Sequence, residues 1–469
     1  MEYVADLHLH SKYSRAVSPD MNLSNMALWA FKKGLDILSV SDWTHPLWFR
    51  QIREELEEAE QGLFRLKDKS SAVRFLLSVE VSSIYSQGGK VRRIHNLIWS
   101  PSFETSEKIS NELRKRGCNL NSDGRPIIGL SSIALAELVF SIDKNAMIIP
   151  CHAWTPWFSL YGSNSGFDSI DECFGNYAKY IYAVETGLSS DPFMNWQIKE
   201  LDNRSILSFS DAHSMAKMGR EATVFVSKDG MTNDKYPTFA KASAGRQISK
   251  FKITYDDIIS AIKKEKDAKL KIGYTIEFYP EEGKYHYTGH RNCNFVQDPK
   301  QTKENGSLCP VCHRPLTVGV MHRVEDLADP NLKFLHSTSS GSNLKLDKRG
   351  VKWIYDTRGF HPPFVKLVPL NEIIAESLSS TVASLKVKNL FDDLCKEFGS
   401  ELNVLLRVPL QDIAKKAGEK IAEGIEKVRK GDIVILPGFD GQYGIVKIWD
   451  DKKVNEKHIE TVNQLGIDF

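Results

Sequence analysis

Seven short apolar runs in the first half of the chain each carry or end in a histidine, aspartate or glutamate, and chemistry is most legible there. The run at 3–7 leads into His8 and His10, and that at 36–41 into Asp42, with His45 just beyond. The run at 74–79 ends at Glu80, that at 94–99 encloses His95, and that at 146–151 ends at His152. The last two, at 182–184 and 206–210, end at Glu185 and at Asp211, with His213 following. Residues i and i+2 of a strand point to one side, so His8 and His10 can reach one ion together. Imidazole and carboxylate with few thiols suit zinc, manganese or iron, and hydrolysis assisted by such ions. Unrelated buried polar residues would have no reason to fall on nearly every strand.

A second cluster has different donors. His290 and Cys293 are followed, after fifteen residues, by Cys309 and Cys312. Two pairs with two residues between their members can close a tetrahedron around one zinc, and a site closed by four protein ligands holds a fold and leaves no place for a substrate. His286 and His313 compete with His290 for the fourth place.

Strands that deliver ligands at their ends need helices between them. Asn22 to Lys33 shows Met26, Ala27, Ala30 and Phe31 on one face, with a capping-type Asn before it and Gly34 after it. Repeated alternation of this kind predicts a parallel α/β fold, irregular or partly open because seven strands fall one short of the usual barrel. Residues 229–250 break the pattern and read as a surface insertion. A helix is expected from Tyr255 to about Lys269. From Gly273 the character changes, the cysteine cluster follows to about Pro330, and a Ser/Gly-rich stretch covers 337–342. The spacing then predicts a helix over 411–430 and a closing hairpin over 432–449 with Asp440-Gly441 in its turn. Three domains are expected: 1–272, 273–330 and 331–469, the last α+β.

The 469 residues are 41% hydrophobic and 26% charged, which excludes a disordered chain. A net charge of +2 does not announce a nucleic-acid binder, though a local basic face is invisible in the total. No apolar run approaches a membrane span, the start does not read as a signal peptide, and seven cysteines suit metal binding and free thiols in a reducing cytoplasm.

The order His8-x-His10, Ser41-Asp42, Glu80, His95, His152, Asp211-x-His213 resembles the polymerase-and-histidinol-phosphatase (PHP) phosphoesterases. That resemblance implies a distorted barrel with two or three divalent ions (Zn, Mn, Mg or Fe). One ion would take His8, His10, Glu80 and Asp211, and a second would share Glu80 and add His95 and His152. A third would rest on His213 and a displaced His45, since Trp43 and Ala16 stand where many members have histidines. Asp211, Glu80 and His152 are the expected catalytic set.

A longer resemblance, through Trp43-Thr-His-Pro, Trp157-Phe-Ser-Leu-Tyr-Gly, Ser210-Asp-Ala-His-Ser, Gly219-Arg-Glu-Ala-Thr-Val-Phe, the cysteine cluster and His322-Arg-Val-Glu-Asp-Leu-Ala-Asp, is to endonuclease Q. It implies a metal-dependent barrel, a zinc-binding module and a C-terminal domain that together cut DNA on the 5′ side of deaminated bases or abasic sites. The partner would be damaged DNA, single- or double-stranded; a replication-clamp partner is not readable from these residues. Arg15 and Arg220, close to ligand motifs, are expected to contact phosphates. The loop holding Trp154, Trp157, Phe158, Tyr161, Phe167 and Ser169 leaves the His152 strand. Its Trp157 and Phe167 are expected to stack on an extruded base, with Ser169 nearby. A small-molecule phosphomonoesterase and a non-catalytic DNA-binding protein are the alternatives. The first needs neither the cysteine cluster nor the long C-terminal region, and the second leaves a full ligand set unexplained.

Overall fold

The structure is a computed structural model that describes residues 1–227, 253–335 and 343–450. The expected insertion at 229–250 and the Ser/Gly stretch at 337–342 lie outside the described residues. In chain order the strands are β1 (Glu2–Asp6), β2 (Ile37–Val40), β3 (Leu56–Glu60), β4 (Leu63–Leu66), β5 (Arg74–Gln87), β6 (Lys90–Ser100), β7 (Ile127–Ile128) and β8 (Met147–Pro150). They continue with β9 (Ala183–Glu185), β10 (Ser205–Leu207), β11 (Ala222–Ser227), β12 (Leu270–Glu277), β13 (Thr288–His290) and β14 (Phe295–Gln297). The last are β15 (Leu344–Leu346), β16 (Lys352–Ile354), β17 (Phe364–Lys366), β18 (Val434–Leu436) and β19 (Ile445–Lys447).

The fold is mixed α/β, with a large central sheet and a helical C-terminal unit. The sheet runs β15-β16-β17-β12-β11-β1-β2-β5-β4-β3, and β6 joins β5 to β8. β1, β2 and β5 are parallel neighbours, as the alternation predicts. β6 corrects that expectation, because it runs antiparallel to both β5 and β8. Its connection to β5 is a tight turn at Gly88 and Gly89, both at positive φ, so no helix crosses over. β9 and β10 pair in parallel with each other, and Leu9 bridges Ala212 in parallel just beyond β1 and β10.

Strand alternation separates two cores. Tyr3, Ala5, Leu7, Ile37, Leu76, Leu97, Met147, Ile149, Ala183 and Leu207 come from seven strands and pack into one cluster, which the helix Tyr255–Ile262 also joins. Their neighbours in sequence, among them Val4, Leu38, Leu77, Ile98, Ile148 and Val184, face the helices. One strand face thus meets the other strands while the opposite face is covered by helices, as period-two side chains require.

Local sequence explains several boundaries. Asn22 caps the helix Leu23–Lys33, accepting from the Asn25 amide, and Gly34 ends it at φ 92°. Phe31, expected on its buried face, is exposed. The helix expected to reach Lys269 stops at Ile262, because the chain must turn into β12. The helix expected over 411–430 is two, Leu410–Ala417 and Glu419–Lys430, broken at Gly418, whose φ of 93° no helix accommodates. The C-terminal region is helical from Leu370, with the β18–β19 hairpin as its described sheet, and β15–β17 belong instead to the central sheet. The expected boundary at 272/273 therefore falls inside β12.

Candidate metal centre and its cleft

The ligand-type residues converge where the strands end. Glu80, buried on β5, faces two groups with its two oxygens. Oε2 lies 3.2 Å from His10 Nε2 and 3.8 Å from His8 Nε2. Oε1 lies 2.5 Å from His95 Nδ1 and 3.1 Å from His152 Nε2. Asp211 Oδ1 completes the first group at 3.1 Å from His10 Nε2 and 3.6 Å from His8 Nε2. Glu80 thus stands between the two groups, one oxygen facing each.

The donor atoms fit a cation better than they fit one another. His8 Nε2, His10 Nε2 and Asp211 Oδ1 are buried with no hydrogen-bond partner although they point together. Burial alone would raise the Glu80 carboxyl, but the charges of His95 and Arg125 hold it well below the carboxylate range. Burial likewise opposes charge on His8 and His10, yet Glu185 and Asp211 for the first, and Asp211 and Asp42 for the second, hold both rings well above the ordinary histidine range. Converging carboxylates therefore demand positive charge between them, which a divalent ion supplies.

Outer partners orient the ligands. Glu185 accepts from His8 Nδ1 at 2.8 Å and from the His152 amide at 2.9 Å. Asp42 faces His10 Nδ1 at 3.3 Å and accepts from the Ser11 amide and the Ser14 hydroxyl. Each fixes a ring tautomer so that the other nitrogen is free to ligate. Asp42, His152 and Asp211 all have positive φ, and strain at three such residues in one site is the cost of turning a strand end sharply inward. Gly187 leaves the room His152 needs, since a Cβ there would lie 2.3 Å from the His152 Cβ.

His213 joins the cluster, its ring 4.7 Å from that of His10. His45 does not. Its ring stacks on Tyr13 at 4.5 Å and its Nε2 pairs with the Asn121 carbonyl, because it opens the helix Pro46–Glu55 and faces away. Cys151 lies near His8 and Glu80, but burial keeps its thiol protonated.

The cluster opens into a cleft of about 900 Å³ whose walls include Arg15, Arg125, Lys217, Arg220 and Phe158. Arg15 and Arg220 both line this cleft, whereas most of the loop after His152 does not. Phe167 is 3% exposed and lies under Arg92, Trp157 packs edge-on against Tyr285, and Ser169 caps the helix Ile170–Phe174. The loop folds back on itself through backbone bonds such as Phe167 to Leu160, which turns the Phe167 ring inward and leaves Trp157 half-buried. Phe158, at φ 62° and 4.8 Å from the His95 ring, is the loop aromatic that reaches the cleft.

Sequence reasoning missed Arg125, whose Nη1 lies 3.2 Å from Glu80 Oε2, since a lone arginine in a loop carries no pattern. Glu185 was visible as a strand-end acid but had no assigned task.

At the other cluster, the ligand atoms of His290, Cys293, Cys309 and Cys312 lie within 4.8 Å of one another. Both cysteine turns close on a left-handed residue, Asn294 after Cys293 and His313 after Cys312, and the Cys309 carbonyl accepts from the His313 amide. His286 and His313 stay outside the quartet.

Fold and site define a metal-dependent hydrolase. Residues 369–432 match the family model described as the MJ0043 C-terminal domain. The chain is 29% identical over 306 residues to the uncharacterized protein MJ0043 of Methanocaldococcus jannaschii, a match covering 64% of this chain but 32% of that protein, so it spans about a third of that relative. It is 27% identical over 462 residues to the uncharacterized protein YqxK of Bacillus subtilis, covering 94% of this chain and 98% of that one. Among solved structures, the lesion-specific endonuclease PfuEndoQ from Pyrococcus furiosus matches with a TM-score of 0.75 and 29% identity, over 100% of both chains. Endonuclease Q in complex with a 27-mer duplex bearing an abasic lesion at its active site matches with a TM-score of 0.75 and 30% identity, over 99% of this chain and 100% of that one. The chain belongs to the endonuclease Q family. Among the described residues, no helix is long and apolar enough to cross a membrane.

Proposed function

We propose that this chain is a DNA repair endonuclease that hydrolyses the phosphodiester on the 5′ side of an abasic site or a deaminated base (uracil, hypoxanthine or xanthine). The observation that carries the reading is the position of buried Glu80 between two ligand groups, of which His95 and Asp211 line a cleft walled by arginines and a lysine. The full-length likeness to endonuclease Q in complex with a duplex carrying an abasic lesion at its active site supports DNA as the partner.

The strands β1, β2, β5, β6, β8, β9 and β10 form an irregular PHP-type barrel, linked back to its start by the Leu9–Ala212 bridge. His8, His10, Glu80 and Asp211 would hold one divalent ion, and Glu80, His95 and His152 would hold a second; His213 is the remaining candidate for a third. Such ions activate water and neutralise charge at phosphorus. Arg15, Lys217 and Arg220 bind the phosphates on either side of the scissile one. Arg125 fixes the Glu80 oxygen that faces the first group. Phe158 offers a stacking face to a base drawn out of the helix, and a deaminated base pairs poorly enough to be drawn out at low cost. The quartet at 290–312 takes one structural zinc. A small phosphate ester would not need the cation-lined width of this cleft.

Metal-supplemented protein given labelled duplexes with one uracil, one hypoxanthine or one abasic site should cut on the 5′ side of each lesion and leave the undamaged duplex whole. Cleavage of a generic aryl phosphate with no cleavage of any duplex would favour the phosphomonoesterase. Duplex binding without cleavage across Zn, Mn, Mg and Fe would favour the non-catalytic reading.

A further inference from the structure

The cleft has a wall that the barrel does not supply. Tyr443, in the turn region between β18 and β19 of the C-terminal hairpin, lines the same cavity as His95, Asp211, His213 and Arg15. It is 59% exposed, whereas Trp154, Tyr161 and Phe167 of the loop after His152 are buried. Lys284 lies over its ring at 4.6 Å.

This turn is held rigidly, and not by the C-terminal helices. Gly438 and Gly444 donate to the carbonyls of Glu281 and Glu282, Gly441 donates to that of Lys284, and Tyr287 donates to that of Gly438. Asp440 accepts from the Arg291 amide at 2.7 Å and from the Thr317 hydroxyl at 2.5 Å, both on the segment that carries the Cys/His quartet. A Cβ on Gly444 would meet the Glu281 carbonyl oxygen at 2.2 Å, so the two backbones lie flush. An exposed aromatic side chain on a fixed turn, facing a cleft walled by cations, has little to gain for folding. It provides a flat face at low ordering cost to a flat ligand whose phosphates those cations hold.

We infer that Tyr443 is a nucleobase-stacking residue of this site, receiving a base unstacked beside the attacked phosphate in the cleft that Phe158 also lines. The inference rests on the reading of the site as one that cuts DNA. It makes the C-terminal hairpin, and the quartet segment that anchors it, part of substrate recognition.

The test uses the full-length, metal-loaded chain and a duplex with one abasic site flanked by 2-aminopurine. Tyr443→Ala should raise the Kd about 5- to 150-fold, the worth of one base stack. The 2-aminopurine fluorescence change on binding should shrink, while the metal content and the melting temperature stay at the wild-type level. Tyr443→Phe should behave as wild type, since the ring and not the hydroxyl does the stacking. Wild-type Kd and fluorescence in Tyr443→Ala, or equal weakness of Tyr443→Phe, would overturn the inference while leaving the endonuclease reading intact. A wild-type chain that neither binds nor cuts any duplex would overturn both.

Discussion

The two ligand clusters of this chain solve the same coordination problem with opposite priorities. At the strand ends, the four imidazoles of His8, His10, His95 and His152 and two carboxylates are spread over β5, β6 and the segments after β1, β8 and β10, and Glu80 stands between two groups. At 290–312, three thiols and one imidazole come from two tight turns in a short stretch, and all four converge on one point. The first arrangement uses hard, acid–base-active donors, draws on the whole sheet and faces a cleft. The second is local, its four ligand atoms lying within 4.8 Å of one another. An open site has to borrow its rigidity from a fold, whereas a closed one lends rigidity to a small segment that could not form a core.

That contrast can be broken most severely at Asp211. Asp211→Ala should abolish duplex cleavage, a loss beyond the roughly 10–100-fold that outer partners cost, while DNA binding stays near wild type because Arg15, Lys217 and Arg220 are untouched. A gel assay paired with fluorescence anisotropy reads both, and wild-type cleavage with normal metal content would remove Asp211 from the cluster. Cys309→Ser should do the converse. One zinc should be lost by mass spectrometry and the melting temperature should fall by roughly 5–10 °C, the effect of a few kcal/mol in a domain of this size, with the metal content of the strand-end cluster unchanged. Equal zinc and an equal melting temperature would show that the quartet is not a structural site.

Smaller changes sharpen the comparison. Glu185 accepts from His8 and from the His152 backbone, so it serves both ligand groups without belonging to either. Glu185→Gln should weaken metal retention against a chelator by about 10–100-fold and leave the quartet's zinc in place; unchanged retention would make Glu185 a packing residue. The smallest effect concerns pH. Glu277, buried at the end of β12, is pushed up to about 8 by desolvation, against the lowering effect of the Ser208 and Thr275 hydroxyls. Its folded value lies above its ordinary value of 4.5, so its contribution to stability is present below about 4.5 and is lost as the pH rises through about 8. Glu277→Gln should melt like wild type near the low end of that window and above wild type at its high end. Parallel melting curves at all pH values would show that Glu277 does not titrate there.

Much of this is legible in the sequence alone. His8, His10, Glu80, His95, His152 and Asp211 were readable because each closes or interrupts an apolar run, and strand ends are where a sheet presents side chains. The quartet was readable because short loops tie spacing directly to geometry. The failures share a different cause. Gly418 at φ 93° splits a pattern that hydrophobic period alone reads as continuous. Phe167 and Phe158 are both aromatics of one irregular loop, and only the loop's internal backbone bonds decide that the first is buried and the second faces the cleft. His45 lies close in sequence to Asp42 but opens a helix, which points its ring at Tyr13. Arg125 and Tyr443 reach the site from segments whose sequence has no periodicity to mark them. Tertiary contact chose these residues, and tertiary contact is what a local pattern does not encode.

The Gly88–Gly89 turn sets a ruler for the whole centre. In the β5–β6 ladder Ser82 stands opposite His95 and Glu80 opposite Leu97, so Glu80 and His95 meet only at this offset. Side chains alternate faces along a strand, and one added residue between Gln87 and Lys90 would slide β6 by a step and carry His95 to the far side. The imidazole would then point among helices, and an isoleucine or an asparagine would take its place beside the bridging carboxylate. A glycine turn on the rim, far in sequence from every donor except these two, thus carries a length constraint as strict as the identity of any ligand. Natural variation in this protein should be freer in the composition of that turn than in its number of residues.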